Sequence, residues 1–394
     1  MKIALDGSLL GARFSGVERS VAQLIHHLAL VAPEEHAFVV FVGDRFDSYR
    51  ERYHPEGFAP GVEIVPCHFD NTDLYRRFWW QQVVLPRLCH GVRADVFHAP
   101  AYVAPAMMGL PHVVSLYDLL AFSHPEFSHF LNRHHYRLAV PLGLRRAQRV
   151  IVPSSATRRA VATYLPHAYE RTTRVPLGVQ PGFFEPPAEG DAAARESYNL
   201  PSEYLLWVGN VEPKKNVGHL FKVVRLLKSR GYDVPKLAIA GALSWGTPDV
   251  MAEYQASGLG DHVLFLGRVR DADLPAVYRG ASAFLFPSLT EGFGLPPLEA
   301  MACGVPALVS DGTSLPEVVG KAGVLLSLDD VEQWADAVVK VLEDSDYRQD
   351  RIARGRSRAA EFTWFRTAQR TLRVYQAALQ TGEDEYDHSS GRTV

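Results

Sequence analysis

The sequence contains few cysteines and no long apolar run. Its three cysteines, Cys67, Cys89 and Cys303, are odd in number and far apart in a chain of 394 residues, so they encode neither a disulfide framework nor a zinc knuckle. No apolar stretch approaches the about 18 residues that a membrane span requires, and Asp6 interrupts the apolar residues that a signal peptide would need. We therefore expect a cytoplasmic protein with reduced thiols.

An excess of charge of one sign is also absent, since the net charge is only −3. We expect no nucleic-acid partner. One stretch differs, because 127–169 holds arginines and no acidic residue. This stretch could contact anions, including the anionic lipids on the inner face of a membrane. The simpler interpretation is that the arginines lie on solvated helix faces. These arginines are Arg133, Arg137, Arg145, Arg146, Arg149, Arg158 and Arg159.

Two series of short apolar runs, each run followed by a helical pattern, are separated by a turn-rich stretch at 182–204. Strands that alternate with helices are typical of a parallel sheet covered on both faces. The sequence therefore predicts an α/β protein with two doubly wound, Rossmann-like domains, over 1–180 and 181–362. The segment 382–394, which is rich in acidic residues, is expected to form a disordered tail. The predicted strands are 2–6, 37–43, 62–67, 95–99, 112–118, 149–153, 204–209, 236–241, 262–267, 283–287, 306–310 and 323–328.

The most informative motif follows the predicted strand 283–287, where a loop containing Gly292 and Gly294 opens a helix. Free N–H groups of such a loop, together with the positive end of the helix dipole, form an anion site suited to a diphosphate. Glu291 precedes this helix and Glu299 lies within it. Because a carboxylate can accept two hydrogen bonds from a vicinal diol, one glutamate could hold a ribose and the other a sugar. Helix capping and solvent exposure are the alternative.

A second loop follows the strand 204–209 and carries Asn210, Lys214 and Lys215. A helix begins near Val217. Two lysines at a helix start can neutralise phosphate charge, to which the helix dipole adds. Surface lysines beside an asparagine cap are an equally good interpretation.

Polar residues also end strands of the first domain. The first strand passes through Gly16 into a helix, but the glycine spacing does not match a dinucleotide-binding fingerprint. His98 and the pair Tyr117 and Asp118 end two further strands, where their side chains could reach a substrate. For His98, a hydrogen-bonded structural histidine is the simpler interpretation.

Two aspartates, Asp271 and Asp273, have the spacing of a metal-binding pair. They precede a predicted helix, however, so an N-cap explains either of them more simply. We expect no metal and no cofactor.

The neighbouring Trp79 and Trp80 could form an interfacial membrane patch. The apolar spacing more simply predicts that the core side of a helix is filled by Phe78, Trp79, Val83, Leu85 and Leu88.

Together these strings resemble the retaining glycosyltransferases of family 4, whose GT-B fold has two Rossmann-like domains that face a central cleft. The resemblance spans nearly the whole chain and rests above all on 287–301, which is similar to the Glu-x7-Glu signature of the family. Further strings that carry it are 15–19, 95–100, 117–119 and 212–216.

The resemblance implies a nucleotide-activated sugar held mainly by the second domain. Glu299 would bind the ribose and Glu291 the transferred sugar, while Lys214 and Lys215 would bind the diphosphate. A last helix near 363–381 would cross back to the first domain. The implied catalytic residues are Glu291, Lys215, Tyr117, Asp118 and His98. The implied donor-binding residues are Gly16, Asn210, Lys214, Lys215, Glu291, Gly292, Phe293, Gly294, Leu295 and Glu299.

Two residues depart from the pattern of many members: Asn210 stands in place of an arginine and Tyr117 in place of a histidine. Tyrosine can donate a hydrogen bond, but it is a poor general base near its usual pKa of about 10. The sequence thus predicts metal-independent, retaining transfer of a hexose from GDP-mannose or a UDP-sugar to a hydroxyl of a glycan, glycolipid or small molecule. A nucleotide-sugar-binding protein without turnover is the alternative.

Overall fold

Two parallel β-sheets, each in its own unit, organise the chain in this computed structural model. The N-terminal unit comprises residues 1–178 together with the last helix, and the C-terminal unit comprises 179–363. The structure describes residues 1–12, 15–53, 56–128, 130–243 and 247–389, with side chains except at 52–53, 131–132, 247–248 and 381–389. The predicted tail, 382–394, lies outside the residues whose side chains are described.

The N-terminal unit contains a seven-stranded parallel sheet with strand order β3-β2-β1-β4-β5-β6-β7. Its strands are mostly buried apolar runs, as expected of a sheet covered on both faces. The strands are β1 (Lys2–Asp6), β2 (Ala37–Val42), β3 (Val62–Pro66), β4 (Val96–Ala99), β5 (His112–Ser115), β6 (Arg149–Val152) and β7 (Thr172–Arg174). The helices are α1 (Gly16–Val31), α2 (Phe46–Tyr53), α3 (Leu74–Val83), α4 (Leu85–Gly91), α5 (Leu120–Ser123), α6 (Phe130–Leu144) and α7 (Ser155–Tyr164).

The C-terminal unit contains a six-stranded parallel sheet with strand order β10-β9-β8-β11-β12-β13. In both sheets the order reverses beside the first strand, which places the carboxyl ends of β8 and β11 next to each other. The strands are β8 (Tyr204–Val208), β9 (Lys236–Ala240), β10 (Val263–Gly267), β11 (Ala283–Phe286), β12 (Ala307–Ser310) and β13 (Val324–Leu326). The helices are α8 (Asp191–Glu196), α9 (Val217–Ser229), α10 (Thr247–Ser257), α11 (Leu274–Arg279), α12 (Leu295–Ala302), α13 (Leu315–Val319), α14 (Val331–Glu343) and α15 (Ser345–Ala359).

The last helix, α16 (Trp364–Ser389), completes the N-terminal unit. Its residues Trp364, Leu372 and Tyr375 are buried with residues of α1 against one face of the seven-stranded sheet. This packing confirms the expectation that a last helix returns to the first domain. Alternate strand residues build a second core on the opposite face, under α3, α4, α6 and α7.

The tryptophan pair of α3 is divided between core and surface. Trp80 is 4% exposed and stacks on Phe69, whereas Trp79 is 59% exposed. The prediction that Trp79 fills the core is therefore wrong, because the face of α3 that packs on the core carries the adjacent Trp80. No helix in the described part of the chain is long and apolar enough to span a bilayer.

Candidate functional site

The two lysines and Glu291 of the C-terminal unit meet at adjacent strand ends. Lys215 follows β8 and Glu291 follows β11, and Lys215 Nζ lies 2.6 Å from Glu291 Oε1. The two side chains are only 14% and 11% exposed. Lys215 Nζ also lies 5.0 Å from the ring centroid of Phe286. The strand order thus joins residues that are 76 positions apart in the sequence.

The environment of Glu291 keeps its carboxylate ionised. Burial raises the pKa of this group, but the charges of Lys215 and Lys214 and hydrogen bonds from Lys215 and Ser288 outweigh burial, so the pKa is lower than usual. Ser288 Oγ donates to Glu291 Oε1 over 2.6 Å. The site therefore pairs a fixed anion with a fixed cation, the arrangement that can bind hydroxyl groups and phosphate side by side.

Backbone contacts hold the loop around Glu291 in place. Ser314 Oγ donates to the carbonyl oxygens of Glu291 and Phe293 over 2.9 and 2.7 Å, and Glu291 N donates to Thr313 Oγ1 over 3.0 Å. Leu289 N donates to the Lys214 carbonyl over 2.8 Å and so fastens this loop to the lysine loop. Thr313 and Ser314 were not predicted as site residues, because the sequence around a serine or threonine does not indicate that its side chain contacts a distant loop.

The loop leads into α12 through Gly294, whose φ of +111° is a left-handed conformation that favours glycine. A Cβ at this position would also lie 2.7 Å from Leu315 Cδ2. No side chain in the described part of the chain caps α12. Because Pro296 and Pro297 have no N–H, the N–H groups that could meet an anion at this helix start belong to Leu295 and Leu298. Gly292 and Leu295 are half-buried, and Phe293 is buried with its ring centroid 5.8 Å from that of Phe362.

Glu299 lies within α12 and is buried. Its Oε2 accepts a hydrogen bond from the hydroxyl of Tyr278 over 3.0 Å. Tyr278 is fully buried and was not predicted from the sequence. The tyrosine holds the orientation of this carboxylate.

The remaining residues of the lysine loop are less enclosed. Asn210 is exposed, and Lys214 Nζ lies 3.8 Å from Glu212 Oε2. Asn216, at the N-cap of α9, has a φ of +52° and gives no side-chain cap. The loop therefore presents Lys214 and Lys215 from one short turn rather than from the helix itself.

In the N-terminal unit, Gly16 begins α1 at a rigid helix start. Ser15 and Glu18 form a reciprocal capping box, and Glu18 Oε1 also accepts from Gly11 N over 2.8 Å. A Cβ at Gly16 would meet nothing within 4 Å. The neighbouring residues 13–14 lie outside the described part of the chain.

Tyr117 and Asp118 lie beside two further tyrosines. Asp118 Oδ1 accepts from Leu120 N over 3.1 Å, and Asp118 is also hydrogen-bonded to Tyr102. The Tyr102 ring centroid lies 5.9 Å from that of Tyr117 and 5.3 Å from that of Tyr136. Burial raises the pKa of Tyr117 far above its usual value, so its hydroxyl stays protonated and can only donate or accept hydrogen bonds.

Tyr102 is a further residue that sequence reasoning missed. Its φ of +64° is uncommon for an aromatic residue, and its N–H donates to the Ser115 carbonyl over 2.9 Å. Strained backbone of this kind is concentrated at functional sites. Because its hydroxyl interacts with Asp118, Tyr102 is a candidate site residue.

The position of His98 contradicts the catalytic role expected for it. The side chain is fully buried, with Nδ1 2.7 Å from Tyr375 Oη and Nε2 2.9 Å from Ser115 Oγ. Burial lowers the pKa of His98 to about 3. A neutral imidazole whose two nitrogens are both occupied is a structural histidine, the alternative interpretation of this residue.

Asp6 at the end of β1 is enclosed in a similar way. Its carboxylate accepts from Ser8 N over 2.9 Å and from Gln81 Nε2 over 2.6 Å. Burial raises the pKa of Asp6 although these hydrogen bonds oppose the shift. Buried Asn71 donates to the carbonyls of Ser8 and Leu10, so this polar cluster holds the loop after β1.

Asp273 directly precedes α11, as expected, but its side chain does not cap that helix. Its carboxylate instead accepts from Tyr198 over 2.7 Å and from Arg270 over 2.6 Å. Among the described residues, no three His, Cys, Asp or Glu side chains are grouped as metal ligands.

Comparison with known proteins identifies the family of the chain. Residues 14–183 match the family model described as Glycosyltransferase Family 4, and residues 191–358 match the one described as Glycosyl transferases group 1. O-antigen chain mannosyltransferase B of Escherichia coli is 30% identical over 284 residues, which are 71% of this chain and 74% of that protein. Serotype-specific mannosyltransferase WbdA of Escherichia coli is 30% identical over 243 residues, 61% of this chain but only 30% of that longer protein.

Among solved structures, HepE of Anabaena in complex with UDP and glucose has a TM-score of 0.73. The match covers 96% of this chain and all of that one at 20% identity, a level that shows the fold. Both halves of the chain, its relatives and its fold thus agree. The chain belongs to glycosyltransferase family 4 and is a glycosyltransferase with the GT-B fold.

Proposed function

We propose that the enzyme transfers a mannosyl or other hexosyl group from GDP-mannose or a UDP-sugar to a hydroxyl of a glycan, glycolipid or small molecule, with retention and without a metal. The names of the two Escherichia coli relatives support mannose, and the HepE complex supports a nucleotide diphosphate. Within the chain, the Lys215–Glu291 pair is the observation that carries the proposal.

The pair matches the two kinds of group in a nucleotide-diphosphate sugar. The ionised carboxylate of Glu291 would accept hydrogen bonds from hydroxyls of the transferred sugar. Lys215, Lys214 and the N–H groups at the start of α12 would face the diphosphate. In this role Glu291 also holds Lys215 in position before the donor arrives.

Departure of the nucleotide builds negative charge on the β-phosphate and positive charge on the sugar ring. Donors that are already in place stabilise such a charge without reorganisation, which is the largest contribution in many enzymes. Lys215 is well suited to this task because Glu291 and the ring of Phe286 restrict its position.

Retention would follow from attack on the face that the nucleotide leaves. The bond from the anomeric carbon to the phosphate oxygen breaks, the acceptor oxygen bonds to that carbon, and its proton passes to the leaving phosphate. Tyr117 is a poor base for this proton because burial keeps it protonated. Asp118, held by Tyr102 and Leu120, could orient a hydroxyl group instead.

A donor panel tests the proposal. Thermal unfolding is followed with GDP, UDP, ADP and TDP, since a ligand at about 100 times its Kd adds about 2.7 kcal/mol to the free energy of unfolding. The matching sugar nucleotide is then incubated with candidate acceptors, and NMR identifies the anomeric configuration of the product. An inverted product contradicts retention, and stabilisation without sugar release supports a binding protein.

We further propose peripheral contact with an anionic membrane through the arginines of 127–169. Some of them have structural roles: Arg137 donates to the Ala121 carbonyl over 2.7 Å, and Arg158 lies 4.6 Å from the ring centroid of Tyr169. Arg145 and Arg146 are exposed and are therefore the better candidates for lipid phosphates.

A further inference from the structure

Large apolar side chains are exposed on two neighbouring helices of the N-terminal unit and on the loop between them. Tyr75 and Trp79 of α3 are 70% and 59% exposed, Met107 is 70% exposed, and Leu138 and Leu142 of α6 are 70% and 39% exposed. We call these five residues the α3–α6 surface. Spacing by four residues puts each helical pair on one face of its helix.

Contacts beneath these side chains show that the surface is continuous. The ring centroids of Phe78 in α3 and His135 in α6 are 5.1 Å apart. Gln82 of α3 donates to the Ala104 carbonyl over 3.2 Å, which fixes the loop that carries Met107. A Cβ at Gly143 of α6 would lie 2.8 Å from the same carbonyl oxygen. The loop is therefore held between the two helices.

The opposite side of the sheet lacks such a concentration among its described residues. There α1 and α16 expose Leu30 and Phe365, at 52% and 49%. Single exposed apolar residues are ordinary, whereas a contiguous patch marks an interaction surface. The α3–α6 surface therefore needs a partner of matching chemistry.

The charges around the surface indicate which partner this is. Arg76 of α3 is exposed, and Arg145 and Arg146 directly follow α6 in the stretch without acidic residues. The acid at the start of α3, Asp73, caps the helix through Tyr75 N and Arg76 N, and its Oδ2 lies 3.7 Å from Arg76 Nε. Exposed apolar and aromatic side chains thus share these two helices with exposed arginines on α3 and directly after α6.

We propose that the α3–α6 surface docks on a bilayer that contains anionic phospholipid. Trp79 and Tyr75 would lie at the level of the headgroups, the leucines and Met107 would enter the apolar boundary, and the arginines would meet lipid phosphates. A second copy of the chain fits less well, because a symmetric contact would bring the same arginines against one another. The inference rests on the proposed membrane contact and is independent of the sugar donor.

The experiment measures co-sedimentation with vesicles of phosphatidylcholine alone and with one quarter phosphatidylglycerol, at low salt and at about 0.15 M salt. The wild type is compared with the double variant Trp79→Ser/Leu138→Ser. The matched control is Leu30→Ser/Phe365→Ser, two apolar residues of similar exposure on the opposite side of the sheet. A third variant, Arg145→Gln/Arg146→Gln, tests the charges. All of these side chains are exposed, so folding is expected to persist, and circular dichroism checks it.

We expect binding of the wild type and the control to anionic vesicles, and at least about tenfold weaker binding of Trp79→Ser/Leu138→Ser, since two large apolar side chains leave the contact. Loss of binding in the arginine variant alone would overturn the docking surface and leave a purely electrostatic contact. A wild-type dimer that the Trp79→Ser/Leu138→Ser change dissociates would assign the surface to a second copy. No binding at either salt concentration would overturn the membrane contact as well, whereas transfer to a soluble acceptor tests the proposed reaction separately.

Discussion

The two units have the same kind of parallel sheet, but the polar residues at their strand ends differ in how far they are enclosed. In the C-terminal unit, Lys215 and Glu291 remain charged and partly exposed. In the N-terminal unit, His98 is neutral and fully enclosed by Ser115 and Tyr375. Glycine-containing loops follow β8 and β11, whereas α16 covers the end of β4. A strand end thus provides a candidate, and the element that covers it decides whether the candidate can meet a ligand.

The largest effect that would test this difference is expected from Glu291→Gln. Turnover should fall by about 100-fold, because a fixed charge next to the reacting sugar is lost. The affinity for the bare nucleotide should change little, since Glu291 is assigned to the sugar. Steady-state kinetics and calorimetry measure the two quantities. The exposed Glu203→Gln is the control. If Glu291→Gln weakens binding of the bare nucleotide as much as it reduces turnover, the role assigned to Glu291 is wrong.

Glu299→Ala should affect binding instead. We expect the affinity for the nucleotide to weaken by roughly 1.5 to 3 kcal/mol, the range for hydrogen bonds to a charged group. Calorimetry measures the loss. Glu299→Gln, which keeps a partner for the buried Tyr278 hydroxyl, separates loss of the charge from damage to the fold. Unchanged affinity in both variants would remove Glu299 from the donor site.

His98→Gln should reduce stability rather than chemistry. Loss of its hydrogen bonds is expected to lower the free energy of unfolding by roughly 1 to 3 kcal/mol at pH 7. The folded-state pKa of His98, about 3, is below the value near 6.5 expected in the unfolded chain, so the unfolded state binds the extra proton and stability falls as the pH drops below 6.5. The variant lacks this pH dependence. The difference in free energy of unfolding between wild type and variant should therefore narrow by roughly 2 kcal/mol from pH 7 to pH 5.

Urea denaturation at the two pH values measures this gap, with the exposed His90→Gln as a control. A 100-fold loss of turnover at unchanged stability would restore the catalytic role of His98 and would break the contrast between the units.

Tyr102→Phe is expected to have a smaller effect. Removal of one hydrogen bond to Asp118 corresponds to about 0.5 to 1.5 kcal/mol, or a decrease of roughly 2- to 10-fold in kcat. Tyr164→Phe, on the surface of the same unit, should leave kcat unchanged. Equal kinetics of the two variants would show that the strained Tyr102 has no part in orienting Asp118.

The smallest effect is expected from EDTA, which should leave turnover unchanged, because Lys214, Lys215 and the start of α12 supply the positive charge. Activity assays before and after chelation test this. Loss of activity that Mg²⁺ or Mn²⁺ restores would contradict it and would direct attention back to Asp271 and Asp273.

The sequence predicted those parts of the fold that depend on local apolar runs. The predicted strand 283–287 corresponds to β11, Ala283–Phe286, while β7, Thr172–Arg174, was not predicted because this edge strand has no apolar residue. Lys215 and Glu291 were each predicted at a strand end, but their contact was not, because it depends on β8 and β11 being neighbours in the sheet. The Tyr375–His98 contact could not be predicted, because its partners are 277 positions apart and no local pattern reports which helix covers a strand.

The way in which α16 completes the N-terminal unit has a consequence for folding during synthesis. Residues 179–363 form a continuous unit, so the ribosome has delivered all of it before Trp364 is made. The first 178 residues, although made earlier, still lack the helix that buries one side of their sheet, and His98 has no Tyr375 to bond. The unit that is synthesised first is therefore the last to complete its core.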